Sequence, residues 1–431
     1  MVRMKKTLLG ILTAAMTLSF VACGTSNSGK EVKSNGGDSK EVTIWAWDPA
    51  YNIAALNEAK VIYEKDNPGV TINVVEMAKT DIEQKLNAIL SSGKKDGLPD
   101  AVLIEDLNAK KYLNAYPGAF APYQNVDFSR FATPVDFMTI DGKTYGVPFG
   151  LGTTGLYYRS DYLKEAGYGE EDLKNITWDK YIEIAKDVKE KTGHNMATFD
   201  PNDPSIVRIM LQSAGSWYTD KNGKVDIKDN KYLAEAFKTV KEINDAGIVK
   251  LISGWADFVG SINKGDVASV VTGCWITPSI IAEESQSGKW RVAPTPRMSI
   301  DGSVNASNLG GSSWYILNEA PGQKTAMDFI AKTFAGSTEL YETLLSKNGI
   351  ASMYSPAFES AAYQEPQEFF GGQKTNSDLG EWTKEIPSVN FGEYTMEADA
   401  IITAKLSEVL SGKDIHQALE EAEQQFNTQI Q

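Results

Sequence analysis

Tryptophans carry most of the chemistry legible in this sequence. Several of its nine stand where a loop or a strand end is expected: Trp47-Asp48, Ser216-Trp217-Tyr218, Gly254-Trp255-Ala256-Asp257, Gly273-Cys274-Trp275 and Gly311-Ser312-Ser313-Trp314. An indole offers a flat apolar face that stacks on the C–H face of a pyranose, while nearby Asp, Glu and Asn hydrogen-bond its hydroxyls. Burying such faces yields roughly 25 cal/mol per Å², and the polar groups fix orientation. The competing use of any single Trp is core packing. Trp45, Trp178 and Trp314 read that way, so the pattern rests on several Trp beside Gly and acids together.

Reactive chemistry is sparse. There is no phosphate-cradling GxxxxGK, no GxGxxG after a strand, no GxSxG elbow and no HExxH. His194 and His416 are the only histidines, and two cysteines cannot build a Cys-ligated zinc, so neither a metal nor another cofactor is expected. The formal net charge of −15 argues against nucleic acid, whose binding runs on Lys/Arg neutralisation. Asp220 to Asp226, DKNGKVD, lacks the register of a calcium loop and reads as a hairpin turned at Asn222-Gly223. Paired carboxylates of a glycoside hydrolase remain an alternative among the 57 acids, as does a carbohydrate-binding surface adhesin.

The elements that must hold these residues alternate between periods of two and 3.6. Val42 to Trp47 is a strand; residues 54–66 carry Leu56, Ala59, Ile62 and Tyr63 on one helical stripe, stopped by Asn67-Pro68-Gly69. Val70 to Val75 is a strand, Thr80-x-x-Glu83 a capping box opening the next helix, and Ala101 to Ile104 a short buried strand. This β-α-β-α-β run predicts an α/β unit with a mainly parallel sheet, where ligands sit beyond the carboxyl ends of the strands. Trp47-Asp48 and Glu105-Asp106 stand at two such ends; helix N-capping is the other reading of the second pair. Later, Thr144 to Phe149 and Gly155 to Tyr158 predict strands separated by a hinge-like Gly150 to Thr154. Helices are predicted near 161–166, 178–191 and 231–246, a loop at DPNDP (200–204), strands at 265–271 and 314–317, and two closing helices in the last 35 residues.

The N-terminus is an address. Arg3, Lys5 and Lys6 precede an apolar run from Leu8 to Ala22, the pattern of a secretory signal peptide over 1–22. Phe20-Val21-Ala22-Cys23 resembles a bacterial lipobox, which makes Cys23 the lipidation site, and residues 23–40 read as an anchored flexible tether. This predicts a protein held on the extracellular face of the cell membrane by its lipid.

The chain as a whole resembles the extracellular solute-binding proteins, family 1, of bacterial carbohydrate ABC importers. VTIWAWD, YGVPFGLGTTGLYYRSDYL, INKGDVASVVTGCWI and NLGGSSWYIL carry the resemblance, in that order, across 41–431. It is similar to members that take up lactose, arabinose or related plant sugars. The resemblance implies a monomeric, non-enzymatic α/β protein with a two-lobe periplasmic-binding-protein-like fold of type II topology, closing on a di- or oligosaccharide. It further implies delivery of that sugar to a membrane permease. Lobe one would be 41–150 plus 309–352 and lobe two 151–308 plus 353–431, with crossings near Gly150–Thr154, Asn308–Ser312 and Ala351–Ser355. Trp275 would stack on sugar, Trp47, Asp48, Glu105 and Asp106 would line the lobe-one face, and Gly310-Gly311 would bring backbone close to the ligand. Trp217, Trp255, Asp257 and Tyr394 are added from the residue pattern.

Overall fold

A computed structural model describes residues 37–132, 135–150 and 152–430. The signal peptide, Cys23 and most of the tether lie outside the described residues. β1 (Glu41–Ala46), α1 (Ala54–Asp66), β2 (Thr71–Glu76), α2 (Lys79–Ser91), β3 (Ala101–Glu105) and α3 (Asp106–Ala115) follow the predicted order. β1 lies between β2 and β3, parallel to both. Alternation sends Val42, Ile44 and Leu103 to a core shared with Leu56 and Ala59 of α1. It sends Trp45, Val102 and Ile104 to the opposite face, against Ile82 and Leu86 of α2. Both faces are thus covered, as a parallel sheet requires, and Trp45 and Trp314 are core residues as expected.

The predicted mainly parallel arrangement stops at β3. Its outer neighbour is Ser312–Leu317, which returns antiparallel from far along the chain and also pairs with Gly146–Gly150 and Phe120–Ala121. α2 starts at Lys79, with no side-chain hydrogen bond at its N-cap, so Thr80 lies inside the helix and the expected capping box does not form.

Lobe two is built on Thr154–Arg159, which sits antiparallel between Ser269–Gly273 and Trp290–Ala293. A small parallel pair, Ala197–Phe199 with Val249–Leu251, lies beside it. Its core joins Trp178, Tyr181 and Phe237 to Ile401 and Leu419 of the two closing helices, Thr395–Leu410 and Ile415–Gln429. The DKNGKVD segment is a hairpin turn: Thr219 bridges Val225, and Gly223 takes φ +80°.

Two passes between the lobes run side by side. Leu309 N donates to Gly152 O (2.7 Å) and Thr154 N to Ser307 O (2.9 Å). A Cβ on Gly152 would run into Asn308 Oδ1, which is why glycine stands there. The third pass differs from expectation. Tyr354, Ala357 and Tyr363 still pack with the lobe-one core. Phe370 joins Tyr157 and Trp290, and Thr383 Oγ1 meets Thr153 Oγ1 at 2.6 Å. The segment after residue 353 therefore bridges both lobes before the closing helices begin.

Candidate functional site

A cleft of about 1300 Å³ separates the lobes. Strand ends build it: Trp47 and Asp48 follow β1, Met77 to Lys79 follow β2, and Glu105 ends β3. Across the gap, Asp200 follows the strand Ala197–Phe199 and Trp275 follows Ser269–Gly273. Open sheets leave their strand carboxyl ends facing a crevice in this way.

Each wall is held rigid locally. Asp48 sits at φ +62°, rare for a residue with a side chain, and its Oδ1 accepts from Ala50 N (3.0 Å) and Tyr51 N (3.2 Å). It thereby caps a π-type turn, Pro49–Ile53, a form of helix that concentrates at functional sites. Burial raises the Asp48 carboxyl above its ordinary value, against the pull of those two backbone bonds. Trp275 donates from Nε1 to Leu309 O (2.9 Å), which locks its indole at the crossing. Trp255, 48% exposed, stands beside it with ring centroids 5.6 Å apart and planes at 48°. The two rings form a bent aromatic wall.

Gly310 and Gly311 take φ +80° and +102°. A Cβ on Gly310 would point between Trp275 Nε1 (3.6 Å) and Glu105 Oε1 (4.0 Å), so the bare backbone opens space between indole and carboxylate. A Cβ on Gly311 would instead lie 2.6 Å from Asp106 Oδ2.

The floor is charged. Lys79 Nζ meets Glu105 Oε2 at 2.8 Å. Burial alone would raise the Glu105 carboxyl, but Lys79 and Arg208 outweigh it and hold it below its ordinary value. Arg208, buried in the helix Ser205–Ser213, grips Asp399 through Nε (3.1 Å) and through its terminal amino group, and Tyr218 donates to the same carboxylate at 2.7 Å. Burial pushes Asp399 upward while Arg208 pulls it back. At one rim Lys111 of α3 pairs with Glu397, and Asn114 bonds Glu393 at 2.5 Å, joining lobe one to the closing helices.

Trp47, Asp48, Glu105, Trp255, Trp275, Gly310 and Gly311 are brought together on the cleft. Four expected residues are not. Asp106 is buried behind Gly311, where its Oδ1 accepts from Ser313 Oγ (2.7 Å); neither it nor Glu105 makes a side-chain cap on α3. Trp217 is core, its Nε1 bonded to Thr395 Oγ1 at 2.9 Å. Asp257 is exposed on the helix Gly254–Asn263, where a loop was expected, and Tyr394 is exposed with its ring edge against Phe426. Neither lines the cleft. Sequence reasoning missed Lys79, Asn52, Arg208, Asp399 and the Asp200–Ser205 turn. The strand-end rule that found Trp47 also reaches Asp200, had Ala197–Phe199 been recognised as a strand.

Residues 58–371 match the family model described as bacterial extracellular solute-binding protein. The chain is 42% identical over 422 residues to a lactose-binding protein of Rhizobium radiobacter, covering 97% of this chain and 98% of that one. It is 26% identical to an arabinooligosaccharide-binding protein of Bacillus subtilis (strain 168), over 85% and 84% of the two chains. Among solved structures, the ABC transporter associated binding protein of B. animalis subsp. lactis Bl-04, in complex with β-1,6-galactobiose, superposes with a TM-score of 0.74. That match has 24% identity over 90% of this chain and 96% of the other. These relatives are binding proteins, not enzymes. The chain belongs to the bacterial extracellular solute-binding proteins.

Proposed function

We propose that this protein captures a di- or oligosaccharide in the interlobe cleft and delivers it to the membrane permease of an ABC importer. The observation that carries the reading is the wall itself: Trp255 and Trp275 side by side, opposite Trp47, Asp48 and Glu105, with bare glycine backbone between. Aromatic faces stack on sugar rings, and the fixed carboxylates accept from their hydroxyls. A sugar touching both walls favours the closed state by its differential contacts, and the permease reads that state. Galactosides such as lactose are the first candidates, on the strength of the 42% identical relative.

In the same reading lobe one comprises 41–150 with 309–352, lobe two comprises 151–308 with the two closing helices, the segment after 353 bridges the two, and the mature chain is a monomer anchored through lipid on Cys23. A thermal-shift screen over lactose, arabino-oligosaccharides and maltodextrins tests capture, because a ligand bound only to the folded state adds RT ln(1 + [L]/Kd) of stability. No shift with any of them, at millimolar sugar, refutes it. Cys23→Ser should move the protein from the membrane fraction to the soluble fraction; continued sedimentation with membranes refutes the anchor.

A further inference from the structure

The cleft does not end at its aromatic wall. A second cavity of about 200 Å³ shares Asp200, Asp203, Ser205, Trp255, Trp275 and Leu309 with it and extends into lobe two. About 10–15 Å³ of such space already holds one water, so the cavity has room for a group of hexose size. Trp178, Tyr181, Phe199 and Phe258 wall its interior, so a ring entering it meets aromatic surface on several sides.

The mouth is polar and already oriented. Asp200 accepts from Gly254 N (2.8 Å) through Oδ2 and from Asn202 N (2.9 Å) through Oδ1. Those backbone bonds overcome burial and keep the carboxyl below its ordinary value. Asp203 accepts from Ser205 N at 2.8 Å. Both carboxylates retain lone pairs for hydroxyl donors. Inside, Trp178 is 2% exposed, and its Nε1–H has no hydrogen-bond partner. That donor is itself closed off from the cavity, so Trp178 contributes ring surface to the wall rather than a hydrogen bond.

We propose that this cavity is a subsite for one further glycosyl unit, so that the preferred ligand is a trisaccharide or longer whose terminal ring enters lobe two. The proposal rests on the sugar-receptor reading of the cleft. Apart from Leu309 in the crossing, every wall belongs to lobe two, so the subsite exists before the lobes close. It would therefore set chain-length preference at first encounter.

Calorimetry on the protein and on Ala197→Leu, whose added carbons enter a cavity that Ala197 lines, decides this with three pairs of probes. These are lactose and galactosyl-lactose, arabinobiose and arabinotriose, and maltose and maltotriose. In the series that binds, the trisaccharide should bind at least about tenfold more tightly than the disaccharide. Ala197→Leu should erase that advantage while leaving disaccharide affinity within about twofold. Ile206→Trp, filling the same cavity from another wall, serves as the second variant if the first fails to fold. Equal affinity for both lengths in the unmodified protein overturns the subsite, as does an equal loss for both lengths in a folded variant. Failure of every sugar to bind the unmodified protein overturns the receptor reading itself, and the subsite with it.

Discussion

Replacing Asp106 with Asn should change how stability depends on pH while leaving sugar affinity intact. Asp106 is 7% exposed at the head of α3, with Ser313 Oγ donating to Oδ1 at 2.7 Å. Burial pushes its carboxyl up to about 8; the Ser313 bond pulls it down and the Glu105 charge adds to the rise. In the unfolded chain an Asp titrates near ~3.9. At pH 7 the folded protein therefore holds this proton and the unfolded chain does not. Such a group gives its full stability below about pH 4 and loses about 1.4 kcal/mol per pH unit as pH rises, until the folded carboxyl ionises near 8.

Asn is neutral throughout, keeps the acceptor for Ser313 and has the same shape. Its advantage over Asp should thus grow by about 2.7 kcal/mol between pH 5 and pH 7. Urea unfolding followed by tryptophan fluorescence at both pH values measures this. Parallel stability profiles for the two proteins would refute a protonated Asp106. A selective loss of sugar binding in the Asn protein would refute its placement behind the cleft wall.

Trp275→Ala should weaken sugar binding with the fold intact: a ring face of about 80 Å² at about 25 cal/mol per Å² is about 2 kcal/mol, roughly 30-fold in Kd. Unchanged calorimetric affinity would remove Trp275 from the site. Arg208→Ala leaves Asp399 and Tyr218 buried without their cation and should cost about 3–5 kcal/mol in urea unfolding. Arg208→Lys, unable to bind both carboxylate oxygens, should recover only part of that. Gly310→Ala places a methyl between Trp275 and Glu105 at a positive φ. It should lower sugar affinity about tenfold and destabilise the fold by about 1 kcal/mol, read by calorimetry and denaturation respectively.

The elements closest to sequence expectation are those whose pattern is local. The stripe Leu56, Ala59 and Tyr63 with its Asn67-Pro68-Gly69 stop marks α1 to the residue, and Gly223 marks its hairpin. What escaped depends on distant partners. Trp217 has the same Ser, Gly and Tyr neighbours as a rim tryptophan, yet Thr395, 178 residues away, holds its Nε1 in the core. Arg208 is one cation in an apolar run, and only its meeting with Asp399 gives it meaning. Gly254 and Gly260 disguise a helix as a loop, and so misplace Asp257. The sequence motif at Glu105-Asp106 names two acids; the strand-to-helix junction that leaves one on the cleft and the other behind Gly311 emerges only with the fold.

The strand Ser312–Leu317 has a consequence for how the molecule is made. It docks on β3 across a separation of 207 residues, at the Ser313–Asp106 contact. Lobe two in turn needs Leu419 and Phe426, near the end of the chain, to complete its core. Neither half can finish until almost the entire polypeptide is available. Long-range pairing of this kind delays the folding transition. Both cores therefore close only late in synthesis, once these distant segments have emerged.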